Sequence, residues 1–152
     1  MRSLGLVFAS FAAFVMLMTS APSAEAAGRY EKQKVVYHIN YTGGEADKAY
    51  KGALKNIQNH INAVGAENLE IRVVLHGNGV GVLQTAKGAG PVQAAVANLK
   101  SQSVAFNVCA NTLKGRKISQ DSLYEVFDED IVPSGVAELT HLQQLGFTYI
   151  KP

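Results

Sequence analysis

The sequence predicts a three-layer α/β/α domain with a mostly parallel five-stranded sheet. Three observations carry that expectation. Short apolar, β-branched runs alternate along the chain with stretches whose apolar residues recur at helical spacing. The links between them are brief, as parallel strands joined by right-handed crossovers require. Glycine, proline and serine stand at the joints, where each supplies a turn, a first helical residue or a cap.

The first strand is KVVYHIN, Lys34 to Asn40, closed by the Gly43-Gly44 turn. From Glu45, apolar residues at Ala46, Ala49, Tyr50, Ala53, Leu54, Ile57, Ile61 and Val64 predict a helix that Gly65 stops. LEIRVVLHG, Leu69 to Gly77, is the second strand, followed by the glycine-rich GNGVG and a short helical stretch around Val82 to Ala86. Pro91 opens the next helix, to Leu99, in the first-turn position where a missing N–H costs nothing. SVAFNVC, Ser103 to Cys109, is the third strand, and ANTLKGR a short helix ending near Gly115. A helical turn at Asp121 to Tyr124 and a short fourth strand at Ile131-Val132 follow. Ser134 caps a last helix carrying Val136, Leu139, Leu142 and Leu145, Gly146 stops it, and FTYIKP closes the chain as the fifth strand.

The first 26 residues stand apart from this pattern. Arg2 is the only charge before Leu4 to Met18, an apolar run of about 15 residues, short of the ~20 that a membrane helix needs. Small residues then lead to Ala24-Glu25-Ala26, an A-x-A cleavage site, so residues 1–26 read as a signal peptide cut after Ala26. An uncleaved membrane anchor is the alternative. The mature chain is then expected to be periplasmic or secreted, with no membrane association after cleavage. Residues 27–33 form a short leader and 34–152 a single domain, large enough to bury one core without staples. With a net charge of +2 and acids and bases interspersed, no basic stripe for nucleic acid is present.

Ligands of open α/β sheets bind at the carboxyl ends of the strands. That rule gathers His38 and Asn40, His76 and Gly77, and Cys109 at one edge of the molecule. Cys109 is the only cysteine, so no intrachain disulfide forms. It is then a packed small hydrophobe, an intermolecular bridge, a metal ligand or a reactive thiol. Its place at the boundary between an apolar strand and the polar ANTLKGR favours the thiol, because helix-start N–H groups at Asn111 and the charges of Lys114 and Arg116 would stabilise a thiolate. His76 is a candidate proton acceptor or anion contact, or else a histidine satisfied by backbone. His38 sits one pleat below the strand end, facing a helix, and His60 and His141 read as helix-face residues. HGNGVG lacks the G-x-G-x-x-G spacing of a dinucleotide loop, although Gly77, Asn78 and Gly79 could line an anion pocket with Asn40. Neither a metal set, a cofactor motif nor a Ser-His-Asp constellation is expected.

VVLHGNGV, FNVCANTLKG and IVPSGVAELTHLQQLGFTYIKP resemble the DsrE/DsrF-like family of small sulfur-relay proteins, from about Lys34 to the C-terminus. The resemblance implies a parallel five-stranded sheet between helices and assembly into a homotrimer or homohexamer. It also implies a cysteine, falling on Cys109, that accepts sulfane sulfur as a persulfide and passes it on. Donor and acceptor proteins, or polysulfide, are the partners so implied. The alternative from the residues alone is a non-catalytic oligomeric module that holds a small anion or metabolite beside a packed cysteine.

Overall fold

A computed structural model describes residues 29–152, so the signal peptide and the first two residues of the leader expected from the sequence lie outside the described residues. Five strands form one sheet: β1 (Gln33–Ile39), β2 (Leu69–Leu75), β3 (Ala105–Cys109), β4 (Ile131–Val132) and β5 (Thr148–Ile150). Their order is β4-β3-β2-β1-β5, and every pairing is parallel. Five α-helices connect them: α1 (Lys48–Val64), α2 (Gly81–Lys87), α3 (Pro91–Ser101), α4 (Ala110–Arg116) and α5 (Gly135–Gln144). The chain steps outward from β1 to β4 and then returns across the sheet to place β5 beside β1. Strand order therefore reverses at β1, the position where open α/β sheets form their crevice.

The two faces are covered unequally. Val35, Tyr37 and Ile39 of β1, Ile71, Val73 and Leu75 of β2, and Phe106 and Val108 of β3 pack with α1, α2 and α3 in one large core. The alternate residues point to the other face, as strand pleating demands. There only Val36 and Val74 join Leu139, Leu142 and Phe147 in a second, small cluster under α5. His38, Val74 and Asn107 share one row of that face through the register His38↔Val74 and Val74↔Asn107. A face that carries histidine and asparagine where its partner carries valine and phenylalanine builds a small core and leaves room for polar chemistry.

Several details depart from the sequence reading. The helix expected from Glu45 begins at Lys48, because Ala46 and Asp47 take left-handed φ values of 48° and 55° and hold residues 45–47 in a tight single turn. The third strand starts at Ala105, since Ser103 has φ 65° and the chain is still turning there. Residues 120–122 make a single 3-10 turn where a turn over Asp121 to Tyr124 was expected. In α5, Leu139 and Leu142 are buried, whereas Val136 and Leu145 are 62% and 53% exposed. Residues three apart drift by about 60° around a helix axis, so the ends of a run spaced by threes face opposite sides and only its middle pair meets the sheet.

Candidate functional site

Cys109 ends β3 and is the residue from which α4 starts. It is 5% exposed yet belongs to neither apolar cluster. Burial pushes its thiol up, but hydrogen bonds overcome that: the backbone of Gly135 first, then the Thr112 hydroxyl, then the backbone of Thr112 and of Asn111. The net result is a thiol held below its ordinary range. Two helix starts thus converge on one sulfur, Asn111 and Thr112 from α4 and Gly135 from α5. Amide N–H groups with no carbonyl partner inside their own helix are the natural donors to an anion there. Lys114 is exposed on α4, and Arg116 donates from Nη1 to Asn78 Oδ1 at 2.8 Å. The cradle around the thiol is therefore made of backbone and a hydroxyl, where the sequence pointed to cations.

Gly135 brings the two helix starts together. A Cβ on it would lie 2.9 Å from His76 Cβ and 3.2 Å from Cys109 Cβ, so β2, β3 and α5 meet at that point with no room for a side chain. Ser134 accepts a hydrogen bond from Ala137 N–H and caps α5, as its residue type and position predict.

The glycine-rich loop is packed against the same edge. Gly77, at φ 54°, donates its N–H to Thr112 Oγ1 at 2.9 Å, so the hydroxyl that reaches the sulfur is itself fixed by the loop. Gly79 donates to His76 O at 3.0 Å, and the Gly81 N–H bonds Asn78 O and Gly79 O. Those three amides are consumed inside the protein, which leaves the loop as a brace for α4 and removes them from any anion pocket. Asn78 is exposed and holds Arg116, and its carbonyl accepts from Tyr50 OH at 2.7 Å. Asn40, half-buried at the end of β1, meets the loop through its backbone.

His76 makes no hydrogen bond to the thiol among the described residues. Its Nε2 lies 2.7 Å from His38 Nε2, and His38 Nδ1 lies 2.7 Å from Tyr149 Oη. The sequence reading set His38 aside as a residue facing a helix and did not single out Tyr149, Thr112 or Gly135. His38 does lie on the α5 face, but it is the neighbouring strands that give it partners. Burial, then the charge of His76, then Lys151 hold His38 down at about 4. Burial and then Lys151 lower His76 as well. His60, by contrast, bonds Tyr37 and Gln33 at the far end of the sheet, and His141 is exposed.

These shifts make stability depend on pH. Both histidines are held down in the fold, whereas in the unfolded chain they take protons near pH 6.5. The unfolded state therefore binds more protons below that value, and stability is lost as pH falls from about 6.5 toward the folded value of about 4 for His38. His38→Gln should lower the thermal midpoint at pH 7, and the gap to wild type should narrow by pH 4.5. A gap that stays constant with pH would show that His38 is not held neutral by the fold.

Among the described residues no group of three or more His, Cys, Asp or Glu is placed to hold a metal, and no helix is long and apolar enough to cross a membrane. A solved structure of a protein of unknown function, MTH1491 from Methanobacterium thermoautotrophicum, is 30% identical, covers 80% of this chain and 100% of its own, and superposes with a TM-score of 0.66. The YchN protein from E. coli is 19% identical over 79% of this chain and 99% of its own, with a TM-score of 0.61, a likeness of fold. No curated protein matches the chain. The family described as DsrE/DsrF-like matches residues 33–152, which include every strand and helix of the described residues and the whole cradle around Cys109. The chain belongs to the DsrE/DsrF-like family.

Proposed function

We propose that the protein is a sulfur carrier of the sulfur-relay type, exported to the periplasm and working as a homotrimer or homohexamer, with Cys109 as the residue that bears the sulfur. The observation that supports this reading most is the convergence of Gly135, Thr112 and Asn111 on a thiol that they hold below its ordinary range. Such a thiolate attacks the terminal sulfur of a persulfide or polysulfide, R–S–SH. The S–S bond breaks, its electron pair leaves with R–S⁻, and Cys109–S–SH remains. An acceptor thiolate then attacks the outer sulfur, takes it, and returns Cys109 to the thiolate. Sulfane sulfur moves between thiols with no external oxidant or reductant. The same amides that stabilise the thiolate also make Cys109 a better leaving group in the second step.

A binding module with a packed cysteine is the competing reading, and the 5% exposure of Cys109 is the observation in its favour. One experiment separates the two: intact mass of thiol-trapped protein before and after polysulfide, beside Cys109→Ser. Gain of one or more sulfur masses by wild type, reversed by reductant and absent from the variant, is the expected result. A folded wild-type protein that gains none overturns the carrier.

A further inference from the structure

The second face of the sheet carries a line of polar groups that the carrier chemistry above does not use. Tyr149 on β5, His38 on β1 and His76 at the end of β2 sit on consecutive strands in the order in which the sheet is built. Cys109 on β3 is next in that order. The contacts along the line are short, 2.7 Å from Tyr149 Oη to His38 Nδ1 and 2.7 Å from His38 Nε2 to His76 Nε2. The two imidazole planes are only 24° apart, with centroids 4.7 Å from each other, so the lone pair of one Nε2 meets the N–H of the other nearly edge to edge. His38 is 8% exposed, whereas Tyr149 is 40% exposed, so the line has a dry middle and a wet end. Its inner end, His76, flanks Gly135 on one side as Cys109 does on the other.

Given the sulfur-carrier reading, on which this step rests, we infer that Tyr149, His38 and His76 form a proton-conducting chain that deprotonates the incoming acceptor thiol. The chain has two neutral arrangements. In one, His76 Nε2–H donates to His38, and His38 Nδ1–H donates to Tyr149, which leaves His76 Nδ1 as a bare acceptor. In the other, every hydrogen bond is reversed and His76 carries its proton on Nδ1. An acceptor R–SH gives its proton to His76 Nδ1. The Nε2 proton passes to His38 Nε2, the His38 Nδ1 proton passes to Tyr149, and the phenol releases its own proton to water. R–S⁻ then attacks the outer sulfur of Cys109–S–SH, giving R–S–SH and the Cys109 thiolate. The sum is R–SH plus Cys109–S–SH going to R–S–SH, Cys109–S⁻ and one proton in solvent.

Two neutral rings suit conduction better than storage. A lone histidine on the surface would keep the proton it took, since it titrates near neutrality. Here burial and Lys151 disfavour an imidazolium on both rings, the charge of His76 disfavours it further on His38, and no carboxylate acts on either ring to hold one. From α5, the helix packed over this face, Leu139 and Leu142 are buried toward the sheet and His141 stays in solvent.

The test has two measurements on the full mature protein. The first is the nitrogen NMR of the histidine rings in wild type and Tyr149→Phe at pH 7. Loss of the phenol should change the tautomer balance of His38 and of His76 together. A His76 signal indifferent to Tyr149→Phe overturns the chain. The second is the rate of sulfur transfer from loaded Cys109 to 2-mercaptoethanol from pH 6 to pH 10, in wild type, Tyr149→Phe and His38→Gln. Both variants should load Cys109 as wild type does, yet transfer roughly a hundredfold or more slowly at pH 7, within the range of general base catalysis. The defect should vanish at high pH, where the acceptor arrives already as thiolate. A defect of the same size at every pH means the residues serve the fold alone and overturns the proton role. If wild type takes up no sulfur, the carrier reading fails and the task assigned to the chain fails with it, while coupled tautomers in the spectrum would still mark the hydrogen-bonded line as real.

Discussion

Gly79→Ala is expected to destabilise the protein by about 3 kcal/mol or more, the upper range for forcing atoms into a filled site. The cause is local and severe. A Cβ on Gly79 would fall 1.8 Å from Ile39 O and 3.0 Å from Asn40 N, and both are backbone atoms at the end of β1 that no rotamer change can move aside. The 77–80 turn would have to lift away from β1, which costs the His76 N–H to Ile39 O bond and the Gly77 N–H to Thr112 Oγ1 bond in turn. A fall of roughly 10 °C in thermal midpoint is the expected reading for a domain of this size. Gly52→Ala is the control: it sits in the second turn of α1 with nothing within 4 Å of the added carbon. There alanine should stabilise by about 0.5–1 kcal/mol, because it is the better helix former. Equal midpoints for the two variants would refute the close approach of the loop to β1.

Gly135→Ala should do less to stability and more to the thiol. The new carbon meets His76 Cβ at 2.9 Å and Cys109 Cβ at 3.2 Å, so the start of α5 must move outward by some tenths of an ångström. Overpacking of that kind costs about 1–3 kcal/mol. The same displacement draws the Gly135 N–H away from the sulfur, and that amide is the foremost of the groups that lower the thiol. The thiol pKa should therefore rise, and each unit of rise leaves about tenfold less thiolate at any pH below it. Titrating the thiolate by its ultraviolet absorbance, in wild type and variant, measures this directly. Slower polysulfide loading at pH 6 that recovers at pH 9 is the matching result in function. An unchanged thiol titration in a folded Gly135→Ala protein would remove Gly135 from the cradle.

The fold was legible because its signals are local. Alternation of β-branched runs with 3.6-residue periodicity located the five strands and five α-helices of the described residues, including the two-residue β4. The misses are equally physical. Ala46, Asp47 and Ser103 adopt left-handed φ with no glycine to announce it. Val136 and Leu145 are apolar yet exposed because a spacing of three drifts off one face. At the candidate site, residue type and strand-end position were enough to single out Cys109 and His76, since a lone boundary cysteine is visible in the chain. The partners were not visible. His38 reads from sequence as facing a helix, and its partners became visible only once β5 came to lie on one side of β1 and β2 on the other, a consequence of the return connection over α5. Gly135 carried no sign in the sequence that it would be the wedge between His76 and Cys109. Lys114 and Arg116 looked like the natural stabilisers of a thiolate because charge can be read from sequence, whereas the direction of a backbone N–H cannot.

By itself, then, the sequence determined the order of the elements, the sheet type and the identity of the one thiol, all of which follow from periodicity and residue chemistry within a few positions. Only the tertiary structure decided what surrounds that thiol. Amides from two helix starts, a hydroxyl held by a glycine loop and a tyrosine-histidine-histidine line reach one edge because strands distant in sequence are hydrogen-bonded neighbours in the sheet.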